Sequence, residues 1–136
     1  MKKKFCTSWI SSKQPRKQRK YRRNAPLHVK QKFLGAHLLK EFRIKHGIRS
    51  LAAVKGDKIR VLRGQFRKKE GKIERIDIKS LKVYVTGIDT IKKDGSKSLY
   101  PLTPSNLMIL DPNLDDKKRI KKQQVQTKKE EPAKKE

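Results

Sequence analysis

The chain is 136 residues long, only 33% hydrophobic, and carries 39 lysines and arginines against 13 acidic residues, a formal net charge of +26. So small an apolar fraction cannot enclose the whole chain, which excludes a uniformly packed molecule and leaves one small domain with arms or tails. A compact state of this charge repels itself unless a polyanion neutralises it, and nucleic acid is the first candidate, because basic side chains displace its condensed counterions.

Membrane insertion is not expected, since the longest apolar run, Leu107 to Leu110, falls far short of a spanning helix. Lys2, Lys3 and Lys4 are followed by no apolar signal-peptide region, so the cytoplasm is the expected location. A single cysteine, Cys6, excludes an internal disulfide and a cysteine-cluster zinc site.

Charge divides the chain. Thirteen basic residues precede Glu41, the first acidic one; residues 41–116 hold 17 basic and 10 acidic, and residues 117–136 hold nine and three. The expected organisation is a basic arm over 1–24, short helices over 25–47, a β module over 51–110 and a charged tail over 111–136. In the arm, the run from Lys13 to Arg23 is too dense in like charge to fold against itself, and Pro15 resists helix. The arm is expected to be disordered alone and to order on RNA, whose phosphates supply the missing counter-charge. Trp9 and Tyr21 are candidates to stack on bases, with packing on the protein's own surface as the alternative for Trp9.

Asn24 and Pro26 suit a helix start and Gly47 a helix stop. Val29, Phe33 and Ala36, then Leu34, Leu38 and Phe42, recur at helical spacing, with Gly35 predicting a break between two short helices. From Leu51 the period changes to that of strands. Ile59 and Val61 alternate with basic residues; Ile73, Ile76 and Ile78 carry an odd step that predicts a bulge; Leu81, Val83 and Val85 alternate cleanly. A turn at Asp94-Gly95 precedes Leu99, Tyr100 and Leu102, and Leu107 to Leu110 closes the set. Five short strands with tight turns predict a mainly β chain built on a small barrel, able to fold from Leu51 without what precedes it. From Asp111 onward apolar residues thin out, and the segment is expected to be largely disordered and to carry no site.

Nothing predicts catalysis. His28, His37 and His46 are nine residues apart, so on a helix neighbours would face opposite sides, and no carboxylate cluster joins them into a metal site. No glycine-rich loop ends in Gly-Lys-Ser or Gly-Lys-Thr, no nucleophile elbow is present, and Asp115 and Asp116 have no pocket. Catalytic residues, a cofactor, a metal and a small-molecule substrate are therefore not expected.

The segment Val54 to Asp77, VKGDKIRVLRGQFRKKEGKIERID, resembles the KOW motif of ribosomal and transcription proteins. Around it KQPRKQRK (13–20), NAPLH (24–28), IRSL (48–51), VYVTG (83–87), PLTPSNLMI (101–109) and NLDDKKR (113–119) follow in order. Together they resemble the universal large-subunit ribosomal protein twenty-four family, in the archaeal and eukaryotic form numbered twenty-six in eukaryotes. That resemblance implies an SH3-like barrel seated on large-subunit rRNA, a place near the peptide exit tunnel, neighbouring ribosomal proteins as partners and a part in early assembly. Two positions depart from the family pattern: Lys68 stands where glycine is usual, and Thr103 where histidine is usual. A KOW-containing elongation factor and an architectural DNA-binding protein are the competing readings; the first lacks room for a polymerase-binding domain, and the second leaves PLTPSNLMI unexplained.

Phosphate contacts are expected to dominate RNA binding, because base-reading side chains are concentrated nowhere. The candidate contacts are Lys13, Arg16, Lys17, Arg19, Lys20, Arg22 and Arg23 in the arm, Lys30 and Lys32 in the helical segment, and Arg63, Arg67, Lys68, Lys69 and Lys72 around the KOW loop.

Overall fold

The computed structural model describes residues 4–116 and 118–120. The charged C-terminal run from Lys128 to Glu136 lies outside them. Among the described residues the chain is mainly β, and its short helices include α1 (Pro15–Asn24), α2 (Leu27–Lys32) and α3 (Lys40–His46). Its strands are β1 (Gly35–Leu38), β2 (Ser50–Ala52), β3 (Lys58–Val61), β4 (Glu70–Asp77), β5 (Lys82–Val85), β6 (Asp89–Ile91), β7 (Lys97–Leu99) and β8 (Leu107–Asp111), with 3-10 turns at Thr7–Ser11 and Pro104–Asn106.

Six strands form one mixed sheet in the order β2-β1-β8-β3-β4-β5, and β6 with β7 makes a separate hairpin turning at Asp94-Gly95. Strands β3, β4 and β5 run as an antiparallel meander, whereas β1 lies parallel to β8, with Leu38 opposite Ile109. Among the described residues β2 and β5 are not paired with each other, so the six-stranded sheet is not closed into a barrel. A single antiparallel bridge, Val83 to Leu102, carries the chain from β5 back toward β8.

Period-2 burial builds the core. Ile59 and Val61 of β3, Ile73 of β4, Val83 and Val85 of β5, and Leu107 and Ile109 of β8 are buried, and their neighbours along each strand face outward or are half-buried. The odd step in β4 is a register shift between Ile73 and Arg75 opposite β5, as the spacing of its isoleucines predicts. Strand β5 begins at Lys82, one residue later than the alternation suggests; Leu81 belongs to the preceding turn.

Three expectations need correction. Gly35 does not break a helix; it opens β1, whose Ala36 and Leu38 join the core, so the sheet does not begin at Leu51. A chain starting at Leu51 would strip β1 from between β2 and β8. The arm forms α1, with Pro15 at the first helical position, where its missing N–H has no intrahelical partner to lose. Residues just past β8 are not a loose tail. The Asp57 carboxylate, fully buried in the turn before β3, receives two hydrogen bonds of 2.7 Å from the Arg119 guanidinium. It also accepts the N–H groups of Val54 and Asn113, at 2.8 Å each. Arg119 donates further to the carbonyls of Asn113 and Ala52, and Ile120 packs against the core.

Candidate nucleic-acid interface

Helix α1 sorts its residues by face despite its charge. Gln18 and Tyr21, at i and i+3, turn inward, and Ala25 just past the helix end is buried as well. The Tyr21 ring is buried, stacked on Phe5 at 5.2 Å and edge-on to Phe33 at 5.9 Å. Tyr21 is therefore packed on the protein's own surface and is not available to stack on a base. Gln18 Nε2 donates to the carbonyls of Trp9, Ile10 and Ser12, at 3.0, 3.1 and 2.6 Å, and ties the first 3-10 turn to the helix. Trp9 is half-buried, with the Lys20 ammonium 4.9 Å from its ring.

Another face of α1 presents Arg19, Arg22 and Arg23, spaced i, i+3, i+4. They form one wall of a cleft of about 420 Å³. The opposite wall is the β4–β5 turn, Lys79 to Lys82, with Thr103, Pro104 and Ser105; Phe33 also lines the cleft, 5.5 Å from the Arg22 guanidinium. No acidic residue lines it.

The β4–β5 turn is built to hold Lys79 out. The Asp77 carboxylate accepts the N–H groups of Lys79 and Ser80, at 2.9 and 3.3 Å, and the Ser80 hydroxyl at 2.6 Å. The Ser80 hydroxyl is the main reason the Asp77 carboxyl titrates below its ordinary range, aided by the two N–H groups and by Arg75. Lys30 Nζ donates to the carbonyl of Lys79 at 3.1 Å, bracing the turn from α2. Leu81 follows with φ 59°, a left-handed conformation that costs a side-chain-bearing residue about 1–2 kcal/mol.

A second cleft, of about 150 Å³, lies beside the β3–β4 loop. Arg63, Gly64, Gln65 and Phe66 line one side and Tyr100 to Thr103 the other. Phe66 and Tyr100 meet at 5.0 Å and give it an aromatic base. Lys68 has φ 71° and donates its N–H to the Val61 carbonyl at 2.9 Å, so the loop keeps the left-handed turn that suits glycine and forces a lysine into it. Lys82 and Thr103 line both clefts.

The structure brings the candidate residues together unevenly. Arg19, Arg22 and Arg23 share the first cleft, and Arg63 lines the second, next to Arg67, Lys68 and Lys69 on the same loop. Lys72 is exposed on β4; Lys13, Arg16, Lys17 and Lys20 are on the arm outside the first cleft; Lys32 is exposed at the end of α2. Lys30 serves the turn brace just described. Among the described residues none of these cations is in an ion pair, whereas Arg60 is engaged by Glu70, its Nε 2.8 Å from the carboxylate. That hydrogen bond is the main cause lowering the Glu70 pKa. Lys79, Lys82 and Thr103 are absent from the sequence-based candidates. The signal that could have found the two lysines is the turn chemistry of Asp77 and Ser80 around them.

The two clefts carry cations and hydroxyls and no acidic side chain, the composition that a polyanion-binding surface requires. The chain belongs to the family of ribosomal proteins that comprises eukaryotic L26 and its archaeal L24 counterpart, whose model matches residues 12–128. A similar protein, large ribosomal subunit protein uL24 of Methanosarcina barkeri (strain Fusaro / DSM 804), is 44% identical over 108 residues, covering 79% of this chain and 93% of that one.

Proposed function

We propose that this protein is a structural constituent of the large ribosomal subunit, in the cytoplasm, that binds large-subunit rRNA through phosphate contacts and touches neighbouring ribosomal proteins. Family membership and the large-subunit relative support the ribosomal role. The observation that carries the RNA reading is the convergence of Arg19, Arg22 and Arg23 on Lys79 and Lys82 with no acidic side chain between them. Such a cluster is costly in a bare protein and favourable once phosphates occupy it. The β3–β4–β5 meander, returned through the Val83–Leu102 bridge to β8 beside β3, supports reading the module as an SH3-like barrel. A seat near the peptide exit tunnel and entry early in assembly rest on the family resemblance.

Titration of an rRNA transcript from the Methanosarcina barkeri large subunit at several salt concentrations tests this. Log affinity should fall with log salt by roughly 0.7 to 0.9 for each phosphate bound. A flat salt response, or failure to co-sediment with salt-washed large subunits, would overturn it.

A further inference from the structure

We propose that the cleft between α1, the β4–β5 turn and Pro104–Asn106 is a discrete subsite for consecutive phosphates of one RNA strand, with Lys79 and Lys82 as its principal contacts beside Arg19, Arg22 and Arg23. The proposal rests on the RNA-binding reading and deepens it.

Three observations carry it. First, cations from separate elements line one space: three arginines of α1, Lys79 of the β4–β5 turn and Lys82 at the start of β5. Guanidinium forks bind phosphate oxygens in pairs, and lysines add point charges. Second, the far wall is pre-organised. Asp77 fixes the turn by three hydrogen bonds, Lys30 braces it, and Leu81 is held in a strained conformation between the two lysines. Strain of this kind persists where the surroundings over-determine it, and such places cluster at binding sites. Third, Tyr21 docks the near wall through its ring contacts with Phe5 and Phe33, so the arginines stay aimed at the cleft without being neutralised.

The occupant is a polymer, because the cleft does not end in a closed pocket. Lys82 and Thr103 carry it into the second cleft, where Arg63 continues the positive wall. The hydroxyls of Thr103 and Ser105 along the same path can donate to successive phosphate oxygens. An acidic peptide would satisfy the cations but would leave these short-range donors to carboxylates spaced by a flexible chain; a phosphodiester backbone offers oxygens at every step.

The test compares three full-length variants binding the same rRNA transcript: Lys79→Gln with Lys82→Gln, Arg19→Gln with Arg23→Gln, and, as a charge-matched control on the β6–β7 hairpin, Lys92→Gln with Lys93→Gln. Each cleft pair should weaken binding by roughly tenfold per residue and lower the magnitude of the salt slope by about one for every phosphate that the variant no longer reaches. The hairpin pair should change both far less, with melting temperatures of all three unchanged. Equal losses from cleft and hairpin pairs would mean that diffuse charge alone binds RNA, overturning the subsite while leaving the RNA reading intact. Loss of binding to polyglutamate but not to the transcript would assign the cleft to an acidic protein partner and also overturn it. No salt-dependent binding by the unaltered protein would remove the RNA reading itself.

Discussion

Lys82 Nζ lies 3.4 Å from Thr103 Oγ1, and this one pair stands between the cleft under α1 and the cleft beside the β3–β4 loop while lining both. The hydroxyl holds the ammonium at the junction, so the two basic surfaces meet at a positioned charge. Thr103→Val keeps the shape and removes the acceptor. Binding to the rRNA transcript should weaken by about 0.5–1.5 kcal/mol, the worth of one such hydrogen bond, with no change in melting temperature or salt slope. An unchanged affinity would show that Lys82 needs no such guide.

Lys68 offers a change with opposite effects on folding and binding. Its φ of 71° is left-handed. Lys68→Gly should raise stability by about 1 kcal/mol through relief of backbone strain, offset in part by the freer unfolded chain. The same change removes a loop cation, so the salt slope should fall by about one if that side chain meets a phosphate. Urea unfolding and salt titration of one preparation read both effects. A less stable Lys68→Gly protein would show that the lysine side chain contributes more to the fold than its strain costs.

Gly71 is required for space rather than for its backbone angle. A Cβ built there would sit 2.5 Å from the Thr86 carbonyl oxygen and 2.7 Å from a Val85 methyl group. One of these is backbone in the neighbouring chain segment and cannot move aside cheaply. Gly71→Ala should therefore cost about 1–3 kcal/mol or more, read as a lower melting temperature with rRNA affinity retained below it. A melting temperature equal to that of the unaltered protein would mean that β4 and β5 separate easily.

The strand alternation of Ile59, Val61, Val83 and Val85 is legible in the sequence because burial on one face imposes a period of two, and the odd step in β4 is legible for the same reason. Strand β1 is not. Four residues, Gly35 to Leu38, are too few to show a period, and Leu34, Leu38 and Phe42 happen to fit a helix. Helix α1 is hidden by composition: one tyrosine among arginines and lysines decides its docking, and that tyrosine's partners, Phe5 and Phe33, are remote in sequence. Of the candidate site, the arm and the loop cations can be read from charge alone, whereas Lys79 and Lys82 join them only through the topology that brings the β4–β5 turn against α1.

Asp57 and Arg119 are unreadable as a pair for a related reason, since nothing local links two charges 62 positions apart. Their burial, 0% and 8% exposed at the side chain, makes the consequence large. Asp57→Ala should cost about 3–5 kcal/mol, because it strands a buried guanidinium. Adding Arg119→Met to that variant should recover part of the loss, a non-additivity that chemical denaturation of the two single variants and the double variant would measure. Strict additivity would mean that the two side chains stabilise the fold independently.

The parallel pairing of β1 with β8 also dictates an order of events during synthesis. Strand β8, the central partner of both β1 and β3, is translated last of the eight. Until it emerges, β1 and β2 have no neighbour to join them to the β3–β4–β5 meander, and the edge of β1 that pairs with β8 stays open. The nascent chain thus presents its cationic N-terminal third to the cytoplasm well before the sheet can complete, at elongation rates of about 5–20 residues per second. Its cooperative folding is therefore delayed by non-local pairing, and a partner able to shield the emerging cations during that interval would protect it from premature association.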